Sequence, residues 1–176
     1  MPSNSTFSSW LGTLLGHSER EINDLLDDES ALQFLITWSI FESKCFHGRL
    51  KVGSIKYYAD ATAPSINSSA LQDDAEYFHS RYQNGIFFKN LIHESSIDSG
   101  MPALIKKSFT ELSTADKLFF LVFVVYRYRN NIFHGNKGVQ SWLQYRDQIR
   151  RCTQVMQALV THAERSAPTM KSDIYC

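Results

Sequence analysis

Apolar residues recur at three- and four-residue steps through most of this chain, and little of it alternates as a half-buried strand would. Phe7, Trp10, Leu11, Leu14 and Leu15 follow the i, i+3, i+4, i+7, i+8 spacing of an amphipathic helix, with Gly16 placed to stop it. Ser18-x-x-Glu21 and Ser30-x-x-Gln33 both read as capping boxes. The second opens a predicted helix through Phe34, Leu35, Trp38, Phe41, Cys45 and Phe46. Leu50 to Tyr57 reads as a small hairpin or an irregular connection, the latter favoured, and Ala61 to Ser69 as a loop rich in Ala, Ser, Thr and Pro. A helix is expected from Asp74 to Ile92 on the broken stripe Tyr77, Phe78, Tyr82, Ile86 and Leu91, although Gly85 weakens it.

Ser95 to Met101 reads as a further loop before Pro102, and Ser113-x-x-Asp116 then caps the segment Leu118 to Tyr126, apolar on every face. Periodicity alone does not separate a buried strand from a helix there. The cap, the unbroken length to His134 and the terminating Gly135 decide for a central helix. The last helix is expected from about Gln140 to Glu164, with the seam Trp142, Tyr145, Ile149, Cys152, Met156, Leu159 and Ala163 facing a neighbouring helix or a second subunit. The pattern therefore predicts an all-α, single-domain bundle of four to five main helices with a short amphipathic helix before it. Its expected divisions are a leader over 1–17, the helical domain over 18–167 and a tail over 168–176.

The chain of 176 residues is long enough to bury a core, and its 43% apolar and 20% charged fractions are those of a globular protein. Formal net charge is zero, so no global basic field points to nucleic acid. Local charge is uneven. Seven bases and one acid lie between Lys117 and Arg151, whereas six acids and one base lie between Glu19 and Glu29. These runs are either two solvated helix faces or, for the first, a basic patch. Cys45, Cys152 and Cys176 are an odd, widely spaced set that suits a reducing, cytoplasmic setting. The longest strictly apolar run has nine residues, short of a membrane span, and no secretory signal is visible.

The candidate chemistry lies in Arg129-Asn130-Asn131-Ile132-Phe133-His134-Gly135, directly after the apolar run. Continuing the stripe Leu118, Val122, Val125 brings Arg129 and Ile132 onto the same face, so a guanidinium extends an apolar surface and needs an anion or an acceptor. Two readings follow: an internal salt bridge, for instance to Glu42, or a phosphate contact. His134 shares a helix face with Asn130, which could orient the ring, whereas Arg129 lies about 140° away on an ideal helix. A two-fold dimer would bring two such helix ends together. Arg127 shares the face of Asn130 and His134 more naturally and is the second candidate for phosphate.

No paired carboxylate cluster, P-loop or Gly-rich dinucleotide turn is present, so metal-assisted and nucleotide-driven chemistry are not expected, and neither metal nor cofactor is assigned. Zinc-type spacing is also lacking around Cys45, His47, His79 and His93. Histidine can act as a general base near neutral pH and arginine can stabilise charge growing on phosphate. Without a metal to make hydroxide, the nucleophile is best carried by the substrate, and RNA has one in its 2′-hydroxyl. Tyr126, Tyr128 and Trp142 are aromatic candidates for stacking on bases or for core packing.

The string Tyr126 to Gly135, with Arg129-Asn130 followed by His134, resembles the signature of the HEPN superfamily, in the form found in Apea-like and related bacterial members. The resemblance covers residues 30–165 as an architecture and is specific only in the motif. It implies a bundle of four or five helices, a homodimer with motifs meeting at the interface, and RNase activity in toxin or antiphage settings, with an antitoxin or regulatory partner. Arg129, Asn130 and His134 become the expected catalytic set, with Arg127, Tyr128 and Lys137 toward RNA and Glu42 as an acidic neighbour. The acid-then-lysine pair of some family toxins is not kept, since Phe46 stands four residues after Glu42. A non-catalytic module of this type, binding RNA or nucleotide or serving only dimerisation, is the alternative.

Overall fold

The computed structural model describes residues 4–92, 100–133 and 145–166, and every described regular element is helical. Helices α1 (Asn4–Leu15) and α2 (Glu19–Leu26) form a hairpin at the N-terminal end. Gly16 takes a left-handed φ of 71°, and His17 N–H reaches back to the Gly12 carbonyl at 2.9 Å. Gly12 is required there, since a Cβ would stand 2.8 Å from the His17 carbonyl oxygen. Ser18 and Glu21 cap α2 reciprocally, as the sequence predicts. Leu11 and Ile22 are buried, Ser8 donates to Asn23 at 2.7 Å, and Trp10 stays 58% exposed.

Helix α3 (Ser30–Phe46) buries Phe34, Trp38, Phe41 and Phe46. Its start differs from the predicted capping box: Ser30 is the first helical residue, and its N–H is satisfied by Asp28 Oδ1 at 2.8 Å. The larger correction is helix α4 (Val52–Thr62), which occupies the segment expected to be irregular. Lys51 N–H donates to Ser54 Oγ and the Ser54 hydroxyl returns to the Lys51 carbonyl, fixing the first turn. Only Ile55 and Ala59 are fully buried in α4, too sparse a stripe to stand out in the sequence. Gly53 lies in this first turn with nothing within 4 Å of an added Cβ. Gly53→Ala is therefore expected to raise stability by about 0.5–1 kcal/mol, read as a higher urea midpoint at unchanged m-value.

The single helix expected over 74–92 is two. Helix α5 (Gln72–Tyr82) ends, and α6 (Gly85–Ile92) begins with Asn84 Oδ1 accepting from Ile86 N–H and Phe87 N–H. An N-capping side chain competes with the continuing helix at that point, and Gly85 adds nothing to hold it. Helix α7 (Met101–Lys106) follows Gly100 and carries the buried Met101, Leu104 and Ile105. The expected loop before it falls largely outside the described residues.

Helix α8 (Thr114–Phe133) is the central element, with Leu118 to Val125 buried without interruption. Ser113 and Asp116 cap it as predicted, Asp116 accepting from the Ser113 hydroxyl at 2.9 Å and Asp116 N–H donating back. Helix α9 (Arg146–Ser166) buries Ile149, Cys152, Val155, Met156 and Leu159, and its main neighbour is α3 of the same chain. Lys44 meets Glu164 at 2.8 Å while Arg146 and Arg150 approach Asp28, so α3 and α9 run parallel. Helix α4 and, to a lesser extent, α9 and α5 pack on α8. One apolar cluster runs from Phe34 to Leu159, and Leu11 and Ile22 stand outside it. Three helices of 17 to 21 residues thus frame the core, with shorter helices filling its sides.

No described helix is long and apolar enough to cross a membrane.

Candidate functional site

Helix α8 turns from core to chemistry over its last two turns. Tyr128 and Ile132 are buried, each 9% exposed, while Arg127, Arg129, Asn130 and Asn131 are half-buried around them. The motif's polar residues therefore leave the helix in different directions. Arg129 lays its guanidinium over the Trp38 ring of α3, 5.6 Å from the centroid, and donates to Asn130 Oδ1 at 3.1 Å. A guanidinium on an aromatic face is held by the ring quadrupole, so Arg129 already has a defined place within one chain. Glu42, the expected acidic neighbour, uses Oε1 to accept from Leu50 N–H at 3.0 Å. That bond ties the exit of α3 to its own helix.

Arg127 presents a second guanidinium, and its Nε is buried with no hydrogen-bond partner among the described residues. Burial draws its pKa below the ordinary guanidinium range, and the Tyr126 and Tyr82 hydroxyls offset part of that effect. Tyr128 belongs to the core: its ring meets Phe78 at 6.2 Å and Tyr145 edge-on at 6.4 Å. Burial pushes its hydroxyl, like that of Tyr82, far above the usual tyrosine range. With its ring packed in this way, Tyr128 offers an edge rather than a free stacking surface. His134, Lys137 and Trp142 lie outside the described residues.

The basic run that followed the motif in sequence is largely spoken for within the chain. Arg151 donates to Asp74 at 2.8 Å and lies over Tyr77 at 4.1 Å, while Arg146 and Arg150 face Asp28. Burial works against the Asp28 carboxylate, but the Ser30 hydrogen bonds and these two arginines outweigh it and hold its pKa low. At Asp74 the balance is reversed, because burial raises its pKa more than Arg151 lowers it. The acidic and basic runs of the sequence thus partly neutralise each other across the fold.

Beside the motif, α5, α6, α8 and the start of α9 enclose a cleft of about 570 Å3, its open mouth included. Leu91, Ile132 and Ile149 form its apolar side, and Tyr82 and Tyr128 add ring edges. Asn90 and Asn131 bring two amides, and Arg81 brings a guanidinium packed over Phe87 at 4.4 Å and near Tyr145 at 5.9 Å. Arg81 Nε is buried with no hydrogen-bond partner among the described residues. No carboxylate lines the cleft among those residues. Asn131 is the link between the two features, since it belongs to the motif and faces this cleft.

Sequence reasoning did not single out Arg81, Phe87 or Asn90, and it named Asn131 only within the motif string and Tyr145 only in the seam of the last helix, neither with a role in this cleft. For Asn131 a signal existed, because it falls three residues after Tyr128 and shares its side of the helix. For Arg81 none did, since its neighbours come from three separate helices. No three His, Cys, Asp or Glu side chains gather as a metal site among the described residues. Compared with protein-family models, curated proteins and solved structures, the chain matches none.

Proposed function

We propose that this protein is a metal-independent endoribonuclease of HEPN type, acting in the cytoplasm as a toxin or antiphage effector. The observation that carries the reading is the string Arg129-Asn130 to His134, of which residues 129–133 close the central helix and His134 follows in sequence, in a chain whose described elements are all helical. His134 takes the proton of an RNA 2′-hydroxyl, the 2′-oxygen attacks the adjacent phosphorus, and the 5′-oxygen leaves with a proton. The products are a 2′,3′-cyclic phosphate and a 5′-hydroxyl. Arg129 or Arg127 stabilises the charge that grows on the phosphate oxygens, and Asn130 orients the imidazole.

Two copies are part of this proposal. Arg129 turns toward α3 while Asn131 faces the opposite cleft, so one helix end spreads its polar groups rather than converging them. A two-fold axis would set the Arg129 of one copy against the His134 of the other. An antitoxin or other regulatory partner would hold such an activity in check. Incubation with total RNA in excess EDTA, followed by end mapping, tests the reaction class. Cuts with cyclic phosphate ends support it, and intact RNA overturns it.

The seat of Arg129 on Trp38 favours a second reading, a non-catalytic module in which this arginine is structural. The substitution Arg129→Met separates the two. A structural Arg129 predicts a thermal midpoint lowered by a few degrees, through loss of its contact with Trp38, with RNA or nucleotide binding unchanged. A phosphate-binding Arg129 predicts cleavage reduced by about a hundredfold or more at unchanged midpoint.

A further inference from the structure

The cleft beside the motif has a composition that selects its ligand. A planar cation stands at one side, aromatic and aliphatic groups form the walls, two amides offer both donors and acceptors, and no carboxylate among the described residues repels an anion. The Arg81 guanidinium packs over the Phe87 ring at 4.4 Å and lies 5.9 Å from the Tyr145 ring centre, and it shares a hydrogen bond with the Tyr82 hydroxyl. Its Nε is nonetheless buried without a hydrogen-bond partner among the described residues. A buried donor of this kind gains most from an anionic acceptor. An isolated phosphate would use the guanidinium and leave the amides and rings idle. A planar base would use the walls and amides and leave the cation idle.

We infer that this cleft is a nucleotide subsite: Arg81 holds a phosphate, and the base enters between Phe87 and the apolar side, read by the Asn90 and Asn131 amides. Asn131 adjoins Asn130, so a nucleotide bound here is next to the motif. The nucleotide is either free or part of an RNA chain, and the second source rests on the ribonuclease reading above. In that case the cleft takes a nucleotide flanking the scissile phosphate and contributes to substrate affinity.

The full chain is titrated calorimetrically with each of the four nucleoside 5′-monophosphates, with inorganic phosphate and with the unphosphorylated nucleosides. Nucleotides are expected to bind more tightly than either part alone. Arg81→Met, which keeps the apolar stem against Phe87, weakens them about tenfold or more. Asn90→Ala, at an exposed position, leaves the fold intact and alters the order of preference among the bases. Equal nucleotide affinity in the natural chain and Arg81→Met overturns the subsite. Should Arg81→Met fail to fold, Arg81→Lys and Asn90→Ala carry the test, and unchanged affinity and base order in both overturn it.

A short single-stranded RNA separates the sources. If it is cleaved, Arg81→Met should raise KM about tenfold with kcat within about threefold, as for lost uniform binding. Cleavage with KM and nucleotide affinity unchanged removes the subsite and leaves the ribonuclease reading standing. Arg81-dependent nucleotide binding without any cleavage does the reverse.

Discussion

His134→Ala is expected to lower RNA cleavage by at least about a hundredfold, since a positioned general base contributes on the order of 10²–10⁴. A role in the chemistry rather than in the fold predicts a thermal midpoint within a few degrees of that of the natural chain. The measurement is a time course with labelled RNA in EDTA, run beside a thermal melt of both proteins. Undiminished cleavage by folded His134→Ala would remove the histidine from the mechanism and the ribonuclease reading with it. The loss of cleavage should exceed that of Arg81→Met, because a subsite holds substrate in ground and transition states alike whereas the base acts in the transition state.

Phe120→Ala should produce the largest loss of stability. Phe120 is fully buried in α8 and meets the rings of His79 at 6.3 Å and Tyr82 at 6.1 Å, both nearly edge-on. Removing a buried phenyl costs about 3–5 kcal/mol, from lost transfer energy and from the cavity left behind. For a domain of this size that corresponds to a melting point lower by roughly 6–20 °C. Tyr82 also lines the cleft beside the motif, so its support would loosen and nucleotide affinity should fall too. A loss below about 1 kcal/mol would mean that the site relaxes fully, against the close packing that the fold displays.

The helices legible in the sequence are those with strong, repeated burial. Phe34, Trp38 and Phe41 mark α3, the run Leu118 to Val125 marks α8, and Ile149, Cys152, Met156 and Leu159 mark α9, each with the expected residues buried. Helix α4 was hidden because its contact with α8 rests on Ile55 and Ala59 and its cap is a lysine–serine pair rather than a standard capping sequence. The break before α6 was hidden because Asn84 acts as a cap only once the chain turns there. Both are local choices that neighbouring elements decide.

The candidate site divides in the same way. Residue order alone placed Arg129, Asn130, Asn131 and His134 together and set them at the end of an apolar helix, because helical spacing is a property of neighbouring positions. Which direction each side chain takes depends on what stands opposite it. Trp38 captures Arg129, Leu50 occupies Glu42, and Asp28 and Asp74 meet the arginines of α9. Arg81, Phe87 and Asn131 come from positions as much as 50 residues apart and meet only when α5, α6 and α8 pack. The sequence by itself determined an all-helical chain with a polar string after its most apolar run. Only the tertiary structure decided which of those polar groups are held within the fold and which face a cleft, since partners distant in sequence supply the other half of every contact.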